Sequence, residues 1–140
     1  MPEPNPTPSA RETPIVMRWT ESLPSGNRGW YLASLKPDLQ FWGYVHIRTD
    51  DLTENRSFSG QLDKLKYKQI CNLLDGIKPR ISGNDGTHWD GMIGLGTRSK
   101  FTTLIRFRSG LNELPNSNTF LEIVSVLQPD FMLAADLIAG

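Results

Sequence analysis

Two groups of residues in this chain have side chains suited to chemistry or to recognition. The first is the run Asp85-Gly-Thr-His88-Trp-Asp90, where two carboxylates and an imidazole fall within six residues beside a Gly-rich loop. All three are metal-ligand types, and the same groups can serve a metal-dependent or general-base hydrolase. The spacing matches no ligand signature. An EF-hand loop needs more oxygen ligands and a closing Glu, and a zinc site of this size would draw a further ligand from elsewhere, with His46 and Cys71 as the available types. In the plainer reading Asp85 caps a turn, His88 opens a strand, and Asp90 meets Arg106 or Arg108 across the sheet.

The second group lies on a strand. Over Phe41–Thr49 the residues alternate: Phe41, Gly43, Val45 and Ile47 face one way, Trp42, Tyr44, His46 and Arg48 the other. Arg106 and Arg108 take the corresponding face of a later strand. Trp, Tyr and Arg are the usual anchors of protein interfaces. Aromatics interleaved with arginines on an open sheet can also stack bases and hold phosphates. A purely structural alternative has Trp42 and Tyr44 covering Gly94 and Gly96, since aromatic packing over strand glycines stabilises sheets.

Nucleophilic catalysis has little support. Cys71 falls on an apolar helix stripe, where a thiol is more often core than reactive. No Gly-x-Ser-x-Gly, Walker loop or dinucleotide fingerprint occurs, and the glycines at 91, 94 and 96 sit inside a strand pattern. The expectation is a protein that is not an enzyme and takes no cofactor.

These residues need a sheet to position them, and the chain is arranged to build one. Residues 1–14 contain five prolines and almost nothing apolar, which predicts a disordered or polyproline-like tail ahead of a single domain over 15–140. Ile15–Thr20 and Trp30–Leu35 are short strand candidates around the turn cluster 24–27. Phe41–Thr49 and Arg56–Gln61 form a hairpin, and Trp89–Gly96 and Phe101–Arg108 form another. In the last strand Phe101, Thr103, Ile105 and Phe107 are expected on one face, Thr102, Leu104, Arg106 and Arg108 on the other.

Asp63–Asp75 is a helix with Asp63 as N-cap, Gly76 in the left-handed C-terminal position and Pro79 preventing continuation. Its predicted apolar stripe is Leu62, Leu65, Ile70, Leu73, Leu74 and Ile77, with Lys64, Lys66 and Lys68 outward. Thr119-x-x-Glu122 has the form of a capping box, opening a second helix that Pro129 ends or kinks, with Asp130–Ala139 able to start a third. The β-branched run 123–126 is also compatible with a strand. The fold class is therefore α+β: an antiparallel sheet of four to five strands with two or three helices packed on one face.

Bulk properties narrow the function classes. The 140 residues carry fifteen basic and fifteen acidic side chains, and neither half of the chain is strongly charged. That makes nucleic acid a less natural partner. A single cysteine permits no internal disulfide, and no 18-residue apolar run occurs, so a reduced cytoplasmic setting without a membrane is the default. The preferred reading is a small non-catalytic domain that binds a protein partner or a second copy of itself, as a homodimer, through Trp42, Tyr44, His46, Arg48, Arg106 and Arg108. The alternatives are a metal-dependent hydrolase using Asp85, His88 and Asp90, and a single-stranded nucleic-acid binder.

Overall fold

The computed structural model of the chain describes residues 12–77, 90–97, 99–107 and 116–137. Six strands make one antiparallel sheet: β1 (Ile15–Leu23), β2 (Gly26–Leu35), β3 (Gln40–Thr49), β4 (Thr53–Gln61), β5 (Gly91–Thr97) and β6 (Lys100–Phe107), in the spatial order β4-β3-β2-β1-β5-β6. Two helices complete the described fold, α1 (Lys64–Leu74) and α2 (Ser117–Ala134). Both expected hairpins form. The sheet has more strands than the expected four to five because Ile15–Thr20 and Trp30–Leu35 are both full members, paired from Leu23↔Gly26 at a tight turn down to Ile15↔Leu35.

The core lies between the sheet and the helices. Phe131 of α2 is fully buried among rings from all four strands of the N-terminal meander: Trp19 at 5.9 Å between centroids, Trp30 at 6.4 Å, Phe41 at 5.1 Å and Phe58 at 4.9 Å. At the start of the same helix Phe120 stacks on Phe107 of β6, with centroids 4.8 Å apart. Gly91 is where Phe120 enters, since a Cβ there would overlap the ring. At the other end the Arg56 guanidinium of β4 donates to the carbonyls of Ala135 and Asp136 at 3.1 and 2.9 Å. A cation there satisfies carbonyls that the helix terminus leaves open and opposes the negative end of its dipole. Helix α2 thus crosses the sheet from β6 to β4.

Several expectations about the helices are corrected. Residues 117–134 form one helix that runs through Pro129, neither broken nor restarted there. A proline inside a helix loses a hydrogen bond and costs about 3 kcal/mol. The burial of Phe131 two residues later offsets that cost, and Pro129 itself is exposed. The run 123–126 is helical because Phe120, Ile123, Leu127 and Phe131 share the buried side. The capping box is not used: the helix opens at Asn116, in a left-handed conformation with no side-chain cap bond.

In α1, Asp63 accepts from the backbone N–H of Leu65 at 3.0 Å and of Lys66 at 3.4 Å, and Gly76 adopts φ +82°. The buried stripe is Tyr67, Ile70, Cys71 and Leu74, while Leu65 is exposed. Lys66 does not simply face water. Its Nζ meets Asp130 Oδ2 at 2.6 Å and ties α1 to α2.

Two bulges break the strand alternation. β2 carries an extra residue, Ala33, against both neighbours: Leu32 and Ser34 face Gly43 and Trp42, which are consecutive in β3. β6 carries Leu104 as an extra residue between Thr103 and Ile105. Leu104 and Ile105 are consequently both buried, and Phe101 moves to the opposite face with 42% of its surface open. The expected alternation of β6 holds only on one side of the bulge. Among the described residues no helix is long and apolar enough to cross a membrane.

Candidate functional site

The helices cover one face of the sheet, and among the described residues no element lies on the other. Strand β3 directs Phe41, Gly43, Val45 and Ile47 into the core and Trp42, Tyr44, His46 and Arg48 outward, as the alternation predicts. Trp42 is 48% exposed. Tyr44 lies opposite Tyr31 of β2, and their rings stack with centroids 4.7 Å apart and planes 14° off parallel. His46 Nδ1 lies 2.6 Å from Asn55 Oδ1 of β4, so that contact requires the Nδ1–H tautomer as donor. Arg48 is exposed near the end of the strand.

Arg106 shares this face but not this neighbourhood. Its register row runs Arg106, Met92, Arg18, Tyr31, Tyr44, Ser57 across the sheet. Four strand spacings of about 4.8 Å separate it from Tyr44, roughly 19 Å. Arg106, grouped in the sequence with the Trp42–Arg48 set as one binding surface, thus shares their face but stands apart from them, and Arg108 lies outside the described residues. The cationic neighbour of the aromatics is Arg18 of β1, opposite Tyr31. Trp42 and Tyr44 do not cover Gly94 and Gly96, because β2 and β1 stand between β3 and β5. Phe101 and the Met92 methyl fill the space above Gly94 instead.

An open cleft of about 620 Å³ lies at the end of the outer face where β1 begins, lined by Pro14, Ala33, Ser34, Trp42, Gly96, Thr97 and Ser99. The Ala33 bulge shapes it, since an extra residue bends the strand and re-aims its neighbours, setting Ser34 opposite Trp42. The Pro14 carbonyl accepts from Gly96 N–H at 2.9 Å and joins the chain entering β1 to the tip of the β5–β6 hairpin. Among the described residues the lining has no charged side chain; it offers an indole face, small apolar groups and hydroxyls. Such a surface can hold an apolar group and hydrogen-bond the backbone around it.

Charge on the sheet is segregated by face even though the chain is neutral. Arg18, Arg48, Arg106 and His46 project from the outer face, where Asp90 is the acid among the described residues. Three acids on the helix side, Glu21, Glu54 and Asp130, are engaged internally. Glu21 accepts from the Trp30 indole at 3.0 Å and from Gln128 at 2.9 Å, Glu54 pairs with Arg56 at 3.0 Å, and Asp130 pairs with Lys66. Arg18 and Arg48 form no ion pair among the described residues.

Asp85 and His88 lie outside the described residues. Asp90 precedes β5, and its backbone carbonyl accepts from Thr20 N–H at 2.9 Å. Among the described residues no group of three His, Cys, Asp or Glu side chains could hold a metal ion. His46 and Cys71 cannot share a site, because His46 is on the outer face and Cys71 is buried with α1 on the other.

Sequence reasoning missed Arg18, Tyr31, Phe101 and the cleft itself. A parity signal was available in 30–35: Trp30 and Leu32 fall in one phase and Leu35 in the other, which requires an extra residue between them. The adjacent apolar pair Leu104-Ile105 carries the same signal in β6. No family model, curated protein or solved structure matches the chain.

Proposed function

We propose that the chain is a non-catalytic protein-interaction module that holds an extended segment of a protein partner on the outer face of its sheet. The cleft beside Trp42 takes an apolar anchor, and Arg18 and Arg48 hold acidic flanking residues. The observation that carries this reading is the exposure of Trp42, 48% open on the rim of a cleft whose described lining is uncharged, in a face left bare by the helices. A tryptophan left in water contributes little to folding, whereas in an interface it is among the strongest anchors.

A nucleic-acid strand would call on the same arginines and aromatics. Tyr31 and Tyr44, however, already present ring faces to each other, which leaves less aromatic surface for bases. That favours a protein segment.

The test is selection of displayed random peptides on the full chain, counter-screened on Trp42→Ala. Enriched sequences should pair a proline or aromatic anchor with acidic flanks and lose binding to Trp42→Ala and Arg18→Ala. Enrichment that survives both substitutions would place binding elsewhere and refute the reading. Sedimentation of the free protein separates a foreign partner from a second copy of the chain.

A further inference from the structure

We propose that strand β4 is a dimerisation edge, pairing antiparallel with β4 of a second copy about a two-fold axis at Ser57. Two six-stranded sheets then become one continuous sheet. The pairing is separate from the Trp42 face and does not depend on what that face binds.

The β3–β4 hairpin fixes which backbone groups β4 leaves open. Thr49 N–H donates to the Leu52 carbonyl at 2.7 Å, and Leu62 N–H donates to the Leu39 carbonyl at 2.8 Å. The register between these two bonds is unbroken, from Arg48↔Thr53 to Gln40↔Gln61. Bonded and non-bonded pairs alternate along an antiparallel ladder. Glu54, Arg56, Phe58 and Gly60 therefore bond to β3. Thr53, Asn55, Ser57, Ser59 and Gln61 turn their N–H and C=O groups to the far side. All five are exposed, and among the described residues no strand pairs there.

Sheet edges are ordinarily guarded by lysines, prolines, bulges or inward-pointing charges. β4 has no lysine, proline or bulge over its nine residues. Its inward charges, Glu54 and Arg56, neutralise each other at 3.0 Å, and Arg56 is also bound to the end of α2. β6, at the other end of the strand order, is guarded: it begins with Lys100 and carries the Leu104 bulge.

A second copy fits this edge in one register. With Ser57 facing Ser57 of the second copy, Asn55 faces Ser59 and Thr53 faces Gln61. Each open N–H and C=O then finds a partner along the whole strand. The side chains suit the same register. Small polar groups meet on the outer face; on the helix face Glu54 comes opposite Gly60 and Arg56 opposite Phe58. No like charges face each other. Moving the axis by two residues would cut the overlap from nine residues to five. The axis stands perpendicular to the sheet, which puts both outer faces on one side. Three strand spacings and four residues of rise set the two Trp42 positions about 20 Å apart. Where the outer face docks a segment as proposed above, the dimer offers that site twice.

Sedimentation of the full chain over a concentration series tests this, with a melting curve for each variant. Ser57→Pro removes an N–H that β3 does not use, so the monomer keeps its ladder while the pairing loses donors at the axis. Ser57→Lys and Ser57→Glu each set like charges face to face across the axis, whereas a mixture of the two sets opposite ones. Wild type should dimerise, and each variant alone should associate about tenfold more weakly or worse. The mixture of Ser57→Lys with Ser57→Glu should recover a heterodimer, and Trp42→Ala should dimerise like wild type. A wild type that stays monomeric throughout, or a dimer indifferent to both charged variants, would overturn the proposal. So would a dimer lost in Trp42→Ala, by assigning association to the outer face.

Discussion

Phe131→Ala should be the most damaging single truncation in the protein. The side chain is fully buried and contacts four rings contributed by β1, β2, β3 and β4. Removing a buried Phe costs about 3–5 kcal/mol through lost transfer energy and the cavity left behind. Aromatic pairs add about 0.5–1.5 kcal/mol each beyond area, although only part of that is lost per contact. Phe131 also holds down the turn after Pro129, where the helix is intrinsically weak by about 3 kcal/mol. Without it the last turn should fray and release the Arg56 bonds to Ala135 and Asp136. We expect a loss of at least about 4 kcal/mol, a large share of the 5–15 kcal/mol typical of a domain. Leu133, two residues on and 69% exposed, is the internal control, and its truncation should cost under about 0.5 kcal/mol. Urea unfolding followed by far-UV circular dichroism measures both. A cost for Phe131→Ala below about 2 kcal/mol, or equal to that of Leu133→Ala, would refute the placement of α2 across the sheet.

Further outcomes follow from the bulges and the chain ends. Leu104→Ala and Ile105→Ala should each lose about 2–5 kcal/mol, and Phe101→Ala under about 1 kcal/mol, in the same unfolding assay; regular alternation would instead make Phe101 costly and Leu104 cheap. Deleting residues 2–11 should lower the melting temperature by no more than about two degrees, as truncating a chain end ahead of a domain's first strand usually does. Deletion through Pro14, which removes the bond to Gly96, should cost more. Zinc, manganese or calcium should leave the melting temperature unchanged; a rise abolished by His88→Ala would establish a metal site at that loop.

Much of the fold was legible because period-2 and period-3.6 patterns act locally. The outward set Trp42, Tyr44, His46 and Arg48 follows from one uninterrupted run of alternation in β3, and α1 from a capping Asp63, a terminal Gly76 and an apolar stripe. What was not legible depends on pairing between distant strands. Arg106 alternates onto the outer face, yet only the strand order places it at the far side from Trp42, with Arg18 between. A chain-wide charge count is equally blind to faces: fifteen positive and fifteen negative side chains cancel overall, while the outer face is left rich in arginine. Pro129 shows tertiary packing overriding a local breaker, since Phe131 keeps the helix going. The cleft depends on a single inserted residue, Ala33, whose only trace is a change of phase between Leu32 and Leu35.

The central claim is that Trp42 serves binding and not folding. Its most direct test is calorimetric titration of a display-selected peptide into wild type and Trp42→Ala, with a melting curve of each. The expected result is a loss of at least about 2 kcal/mol, roughly thirtyfold in Kd, with melting temperatures within about two degrees of each other. An unchanged Kd, or a Trp42→Ala protein that melts well below wild type, would contradict it.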